Sequence, residues 1–556
     1  MDSSSNNETK PNPTNVNVSE SGQAQPVTLP TSQESSSSNQ PVTASSLKPK
    51  SSKLWIILLI ALLLAVAGGY LLLKHKDTAK PKMVAAKRDI PLIRYGTANG
   101  PVNVFYPSQQ ISVVSGQQEV NTQLFEGLVA WQNGTKLVPL LATSWTNPDD
   151  STWIFNVRQG VKFHTGNLMT AADVKYSLDN FKDSTYDDEF GTTIKSVTVV
   201  SPYQVKITTN GPDPLLLNRL VNLYIVDSKG TKPNDPVNGT GPFVLKPGAK
   251  LTPDYADLVA FDGYWDGHVY TRELQFDQIL NESDEVAAMK NHHIDIFDDF
   301  IDTPSINELK AAHIQINSQP SITADQILLN TQKQGSPLGV LKFRQALNIG
   351  INREEIIKAA GVTGVPLGQF MPSEVPGYVP KLTAPTQDVA EAKTLLTDSG
   401  VKNATLTLSY GTDSSSEVLL TELQKECQAL GITIKLDPID DIDALVAKYQ
   451  QGQTDMMFIG NSTTLFDGSD VLNVFQNPGV YDNTTVDQLI AQSNQTLDGA
   501  KHLALLQQAA ETLHDDVGAI PLYSRADNYA QTSNSYRLTN EIPGVQASAY
   551  FWKVYQ

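Results

Sequence analysis

Residues Leu54 to Leu73 read LWIILLIALLLAVAGGYLLL, twenty positions without a single charge. At about 1.5 Å per residue such a run is about 30 Å long as a helix, the thickness of a bilayer's hydrocarbon core. It predicts one transmembrane helix over 54–73. A buried core helix is the alternative, but basic residues flank both ends and nothing beside the run alternates apolar with polar. A cleavable leader is the sharper rival, because Ala65-Val66-Ala67 has the A-x-A form of a signal-peptidase site. Against it, the apolar run continues through Leu71, Leu72 and Leu73, and 53 preceding residues make a very long leader. No cysteine lies near the run, so anchoring, where present, is by the helix itself.

The segments on either side differ. Residues 1–53 are dominated by Ser, Asn, Thr, Gln and Pro. They carry too little apolar surface to offset an ordering cost of about 1–2 kcal/mol per residue, and we expect a disordered arm. Residues 74–89 (KHKDTAKPKMVAAKRD) form a charged tether. Lys48, Lys50 and Lys53 precede the run, while Lys74, Lys76, Lys80, Lys82, Lys87 and Arg88 follow it. A literal positive-inside count would therefore keep the long carboxyl-terminal part in the cytoplasm.

That part begins near Ile90 and is too long for one core, because cores stop growing near ~250–300 residues. At least two lobes are expected. Of the total formal charge of −18, residues 91–556 carry −22, with −1 on residues 1–52 and +5 on residues 53–90. An acidic body argues against nucleic acid as a partner, since binders of nucleic acid need a basic face. The lone Cys427 permits no intrachain disulfide and does not identify the compartment.

Along the body, Thr152–Val157 reads as a strand ended by Gly160, and Thr170 with Asp173 three residues later resembles a capping box opening a helix with Val174, Leu178 and Phe181 on one face. A hairpin around Ser201-Pro202 follows. Residues 404–460 alternate more regularly: strand 404–410, amphipathic helix 416–430, Gly431, strand 432–436, helix 441–451, Gly452, strand 455–460. This alternation means βαβ units and a parallel sheet. Ligands of open α/β sheets bind beyond the carboxyl ends of the strands, so the loop Asn461–Gly468 is the first place to look for a site.

Several stretches occur together and in order: Leu124-Phe125-Glu126-Gly127-Leu128, Leu137 to Trp145, Trp153 to His164, Thr170 to Val174, Gly239-Thr240-Gly241-Pro242-Phe243, Gly263-Tyr264-Trp265, Arg344 to Leu347 with Ile351-Asn352-Arg353, and Ile520-Pro521-Leu522. As a series over roughly residues 90–556 they closely resemble the family 5 extracellular solute-binding proteins, the oligopeptide, dipeptide and nickel receptors of ABC importers. The resemblance implies an α/β, two-lobed periplasmic-binding-protein-like fold of class II with an extra small domain in the first lobe. The first lobe would hold 90–322 plus 524–556, and the second 323–523. Gln326 to Asn330 and Ile520 to Tyr523 would form the hinge strands. Because such receptors work outside the membrane, the body is expected to be extracytoplasmic despite the lysine count. Its partners would be a small solute, oligopeptides leading, the permease and ATPase subunits of an importer, and the membrane through the single helix.

In peptide-binding relatives the strand corresponding to 455–460 leads to a loop aspartate that pairs with the peptide's terminal ammonium. Here Thr464 stands at that place and Asn461 where an aromatic is usual, a departure from the family pattern. A hydroxyl accepts a hydrogen bond but not the charge-assisted one. Asp467 either substitutes for the missing anion or caps a turn or the next helix. Ser462 and Phe466 lie on the same loop, and Glu126 resembles a first-lobe carboxylate near the ligand's main chain. Trp131, Trp265 and Trp552 read as packing aromatics, Gly239 and Gly241 as backbone requirements, Cys427 as a buried thiol, and His164 as structural.

His292-His293 invites a metal reading, but adjacent histidines in a strand point to opposite faces, so no metal or other cofactor is expected. No nucleophile, base and orienting-group arrangement and no GxxxxGK[ST] motif is recognisable, which argues against an enzyme. The expected function is capture of a solute by lobe closure and its delivery to an importer. The alternative is a signalling receptor that senses a peptide with the same trap, disfavoured because no structured output domain precedes the apolar run.

Overall fold

The computed structural model describes residues 88–98, 102, 116–132, 136–182, 193–230, 239–249, 252–299, 301–412, 414–532 and 551–553. The arm, the apolar run and the tether as far as residue 87 lie outside the described residues. Among those described, no helix is long and apolar enough to cross a membrane.

An eleven-stranded mixed sheet organises the described body. At one end the strands Thr405–Gly411, Thr433–Ile439 and Met456–Asn461 run parallel, with Thr405–Gly411 between the other two. The helices Ser414–Ala429 and Ile442–Gln450 connect them, so the βαβ alternation legible in residues 404–460 is borne out. The strand Thr433–Ile439 runs on past 436, where the sequence pattern ended it. Asp441 caps the second helix, its side chain accepting from the Ala444 N–H, which gives one of the unpaired first-turn donors a partner. Cys427 is buried among Leu419, Leu420, Leu423 and Leu430, and burial pushes its thiol up to about 12.

At the other end Ile93–Thr97 lies parallel between Glu273–Gln278 and Ile296–Asp299, and Tyr255–Ala260 and Phe243–Leu245 extend the sheet with antiparallel pairing. A separate four-stranded antiparallel sheet runs in the order Ala142–Asp149, Thr152–Val157, Gln204–Thr209, Ile194–Ser201, its last two strands forming the expected hairpin. The helix Ala171–Lys182 packs Val174, Leu178 and Phe181 into the core of that sheet. Its capping box is real: the Thr170 N–H donates to Asp173 Oδ2 at 2.7 Å, and Thr170 Oγ1 accepts from the Ala172 N–H at 3.3 Å.

Two long strands, Gln315–Leu329 and Ala519–Gln531, join the two ends of the large sheet. Gln315 to Pro320 lie opposite Gln531 to Ala526, and Ala324 to Leu328 lie opposite Ser524 to Ala519. The first stretch borders Ile296–Asp299 through the Asn528–Gln531 segment, whereas Ala324 to Leu329 pairs with Asn461 to Met456. Register slips interrupt the long pair between Pro320 and Ala324 and between Asp325 and Gln326. Of the residues expected to form a hinge, Gln326 and Tyr523 flank the second slip, while Ile520 lies inside a regular three-stranded ladder. Asn330 lies past the strand end, its side chain donating to the Thr454 carbonyl and accepting from the Gln332 and Lys333 N–H groups.

An ion pair spans the two slips, with a wholly buried Asp325 at the second and a half-buried Arg525 opposite the first. Arg525 donates to both carboxylate oxygens of Asp325, at 2.6 and 2.9 Å, and Asp325 has no exposed surface. Neighbouring Gly460 leaves room for it, because a Cβ there would stand 2.9 Å from Asp325 Oδ1.

Candidate functional site

The loop after the strand Met456–Asn461 meets the opposite part of the chain. Phe466 is buried and its ring packs on that of Trp131 with centroids 4.9 Å apart. Trp131 lies on the short strand Val129–Gln132, ahead of the small antiparallel sheet. Asn218, buried on the helix Leu216–Asn222, donates to the Leu465 carbonyl at 2.6 Å. Leu137 and Val221 pack against the same apolar cluster as Phe466, and Leu497 packs against the core of the small sheet. Residues that resemblance assigns to different lobes are thus in contact here.

The loop is held in an unusual shape. Phe466 adopts φ +54°, a left-handed backbone that a bulky L-residue takes only under constraint, at a cost of about 1–3 kcal/mol. Asp470 supplies part of that constraint. Its Oδ2 accepts from Thr463 Oγ1 at 3.1 Å, the Thr464 N–H at 2.6 Å, Thr464 Oγ1 at 3.0 Å and the Leu465 N–H at 3.1 Å. The Thr464 hydroxyl is therefore turned to its own loop.

Asp467 supplies the rest. It is the N-cap of the short helix Gly468–Leu472, accepting from the N–H and hydroxyl of Ser469, and its own N–H donates to Thr463 Oγ1. It also contacts His502 Nε2 at 2.9 Å. Of the two roles weighed for Asp467, the structure displays capping. Burial disfavours an imidazolium at His502, but the hydrogen bond and charge of Asp467, with the Ser493 carbonyl, outweigh it and raise its pKa above the ordinary value. Asn461 ends the strand half-buried and donates to the Val471 carbonyl at 3.3 Å, and Ser462 beside it is half-buried.

Glu126 is placed elsewhere, in a polar knot just after the helix Gly116–Leu124. Its carboxylate accepts from Thr240 Oγ1 at 2.8 Å, Tyr264 Oη at 2.9 Å and Trp265 Nε1 at 2.8 Å. Burial pushes its pKa up to about 7 against the lowering effect of these three donors. The Arg158 guanidinium covers the Trp265 ring at 4.2 Å. The glycines at 239 and 241 let this knot close, since a Cβ would lie 1.9 Å from the Leu124 carbonyl oxygen and 2.4 Å from that of Gln123. The loop and the knot therefore use Glu126 and Asp467 as internal braces.

Sequence reasoning missed Asp470, His502, the Asp325–Arg525 pair and the Trp131–Phe466 contact. Only Asp470 carried a local signal, as an acidic residue in the first turn of the helix that Asp467 caps. His164 is half-buried, contacts the Gly241 carbonyl through Nε2, and has its pKa lowered to about 4 by desolvation, as suits a structural residue. His292 and His293 lie in a turn, not the strand assumed for them, with His292 at φ +57°. Among the described residues no group of three or more His, Cys, Asp or Glu side chains is arranged to hold a metal ion.

Known proteins resemble this chain over most of its length. The glutathione-binding protein GsiB of Shigella flexneri serotype 5b is 25% identical over 437 residues, covering 73% of this chain and 84% of that protein. The nickel-binding periplasmic protein of Escherichia coli K12 is 26% identical over 478 residues, covering 77% and 88%. In fold, the unliganded open form of the periplasmic murein tripeptide-binding protein MppA superposes with a TM-score of 0.73 at 22% identity, covering 85% of this chain and 98% of that one. The Helicobacter pylori periplasmic binding protein DppA in complex with the peptide STSA gives a TM-score of 0.66 at 21% identity, covering 84% and 98%. The model of the bacterial extracellular solute-binding proteins, family 5 Middle, matches residues 136–483, well over half of the chain, and this chain belongs to that family of solute-binding proteins.

Proposed function

We propose that the receptor captures a peptide between two lobes that close at the loop Asn461–Asp467, and that the apolar run 54–73 tethers it to the membrane with its body outside. The Trp131–Phe466 contact carries the closure reading: the aromatic pair and the Asn218 hydrogen bond to Leu465 join the loop after the strand Met456–Asn461 to the short strand Val129–Gln132 and the helix Leu216–Asn222, outside the large sheet. Two chain crossings suffice for a hinge, because only the residues at the register slips, Pro320 to Gln326 and their partners Pro521 to Ala526, need change backbone angles. A ligand buried beneath the loop would favour the closed form by its differential affinity for it. The peptide class is supported by relatives named for a tripeptide, for glutathione and for a bound peptide.

Small-angle scattering on the purified full chain in detergent tests closure. Addition of the solute that co-purifies with the protein to stripped receptor should reduce the radius of gyration in a saturable way. A radius unchanged at saturation, from an unliganded state that is open, would contradict the trap.

Topology has a separate test. Protease added to intact cells should remove the body and spare the Ser/Asn-rich arm. A protected body would overturn the extracytoplasmic placement and import with it.

A further inference from the structure

Gln326 is fully buried, and neither its Nε2 nor its Oε1 has a hydrogen-bond partner. Among the described residues Asn121 is likewise buried with neither amide atom partnered, but it lies on the helix Gly116–Leu124 and not on the long strands. Gln369, equally inaccessible, donates to the Val379 carbonyl and accepts from the Val379 N–H. An amide left with both needs unmet in the interior marks a place where something else is expected to sit.

Strand alternation locates the side chain. Ile327 and Leu329 face one core, while Leu328 faces the other, the cluster that contains Trp131 and Phe466. Side chains two apart on a strand share a face, so Gln326 lies on the Leu328 side. Its cross-strand neighbour Ile459 packs against that same cluster. The unpaired amide therefore stands on the sheet face where the two parts of the chain meet. The carboxylates of the adjoining loop are engaged within the protein, Asp467 with Ser469 and His502 and Asp470 through its Oδ2 with four donors. What Gln326 can recognise is a neutral, planar group that both donates and accepts.

We propose that Gln326 determines specificity in this receptor by pairing with one backbone amide of the bound peptide, Oε1 accepting the ligand N–H and Nε2 donating to the ligand carbonyl. The proposal rests on the peptide reading above and gives that site its neutral recognition element.

Isothermal titration calorimetry on the full chain in detergent tests it, with N-acetylated, C-amidated alanine tri-, tetra- and pentapeptides and the same peptides with each amide in turn replaced by an ester. The parent should bind at least one peptide and lose about tenfold in affinity at one ester position only. Gln326→Met should bind the amide peptide about tenfold more weakly and no longer distinguish that ester, while its ligand-free melting temperature is unchanged or higher. A Gln326→Met variant that binds as tightly as the parent, or a parent indifferent to every ester, overturns the pairing. The ester series needs no variant, so a poorly folding substitution leaves the test intact. A parent that binds no peptide of the panel overturns the amide assignment, whereas the receptor reading is decided separately by scattering with the co-purifying solute.

Discussion

Arg525→Ala should lower the stability of the full chain by about 5 kcal/mol and Asp325→Ala by about 3 kcal/mol, within the range for breaking one side of a buried ion pair. The order follows from exposure. Asp325 is wholly buried, while the Arg525 side chain keeps 22% of its surface accessible, so the carboxylate stranded by the arginine substitution suffers more than the guanidinium stranded by the other. Because each partner is penalised for the loss of the other, the double variant should be less destabilised than the two single losses added together. The pair bridges the two long strands between their two register slips, so it also holds the crossing between the two ends of the sheet. Urea unfolding in detergent would measure all three variants. Single losses below 1 kcal/mol, or simple additivity, would show that the pair is not what fixes the crossing.

Glu126→Leu should cost about 3–5 kcal/mol, because it leaves the Thr240 hydroxyl, the Tyr264 hydroxyl and the Trp265 indole N–H without their shared acceptor. Glu126→Gln should cost about 1 kcal/mol or less. Its carbonyl can still accept from Thr240 and Trp265, and its NH2 can donate to Tyr264 once that hydroxyl turns round. The two variants also separate in pH dependence. The pKa of Glu126 rises from 4.5 to about 7 on folding, so between those values the folded chain holds the proton more firmly than the unfolded one. Its contribution is fully present below pH 4.5 and fades as the pH rises through about 7. By linkage the difference reaches roughly 3 kcal/mol. Glu426, raised to about 7, and Asp527, raised to about 6, act in the same direction, so the comparison needed is parent against Glu126→Gln at pH 5 and pH 8. Equal pH slopes in the two proteins would show that the carboxyl of Glu126 does not titrate across this range.

Local pattern determined much of the architecture. The βαβ series between residues 404 and 461 was legible because helical and strand periodicities are properties of neighbouring residues, and glycines punctuate the elements. The capping box at Thr170 and Asp173 and the hairpin at Ser201-Pro202 were legible for the same reason. The ordered motifs of residues 124–522 indicated the family, and the match over residues 136–483 agrees.

What the side chains of the site do was decided in three dimensions. Asp467 could have been a free anion or a cap, and only the approach of His502, 35 residues away on the helix Gly499–Asp516, shows it engaged on both sides. That Thr240, Tyr264 and Trp265 share Glu126 as acceptor depends on the backbone close to Gly239 and Gly241, which no local pattern around Glu126 displays. Asp325 and Arg525 are 200 residues apart, and no periodicity connects them. The physical reason is common to all of these: propensity and alternation act over a few residues, whereas the partner of a buried polar group is fixed by which distant strands the packing brings within about 3 Å. Gln326 is the limiting case, a residue that the sequence marked only by its place on a strand and whose significance lies in the buried partner it lacks.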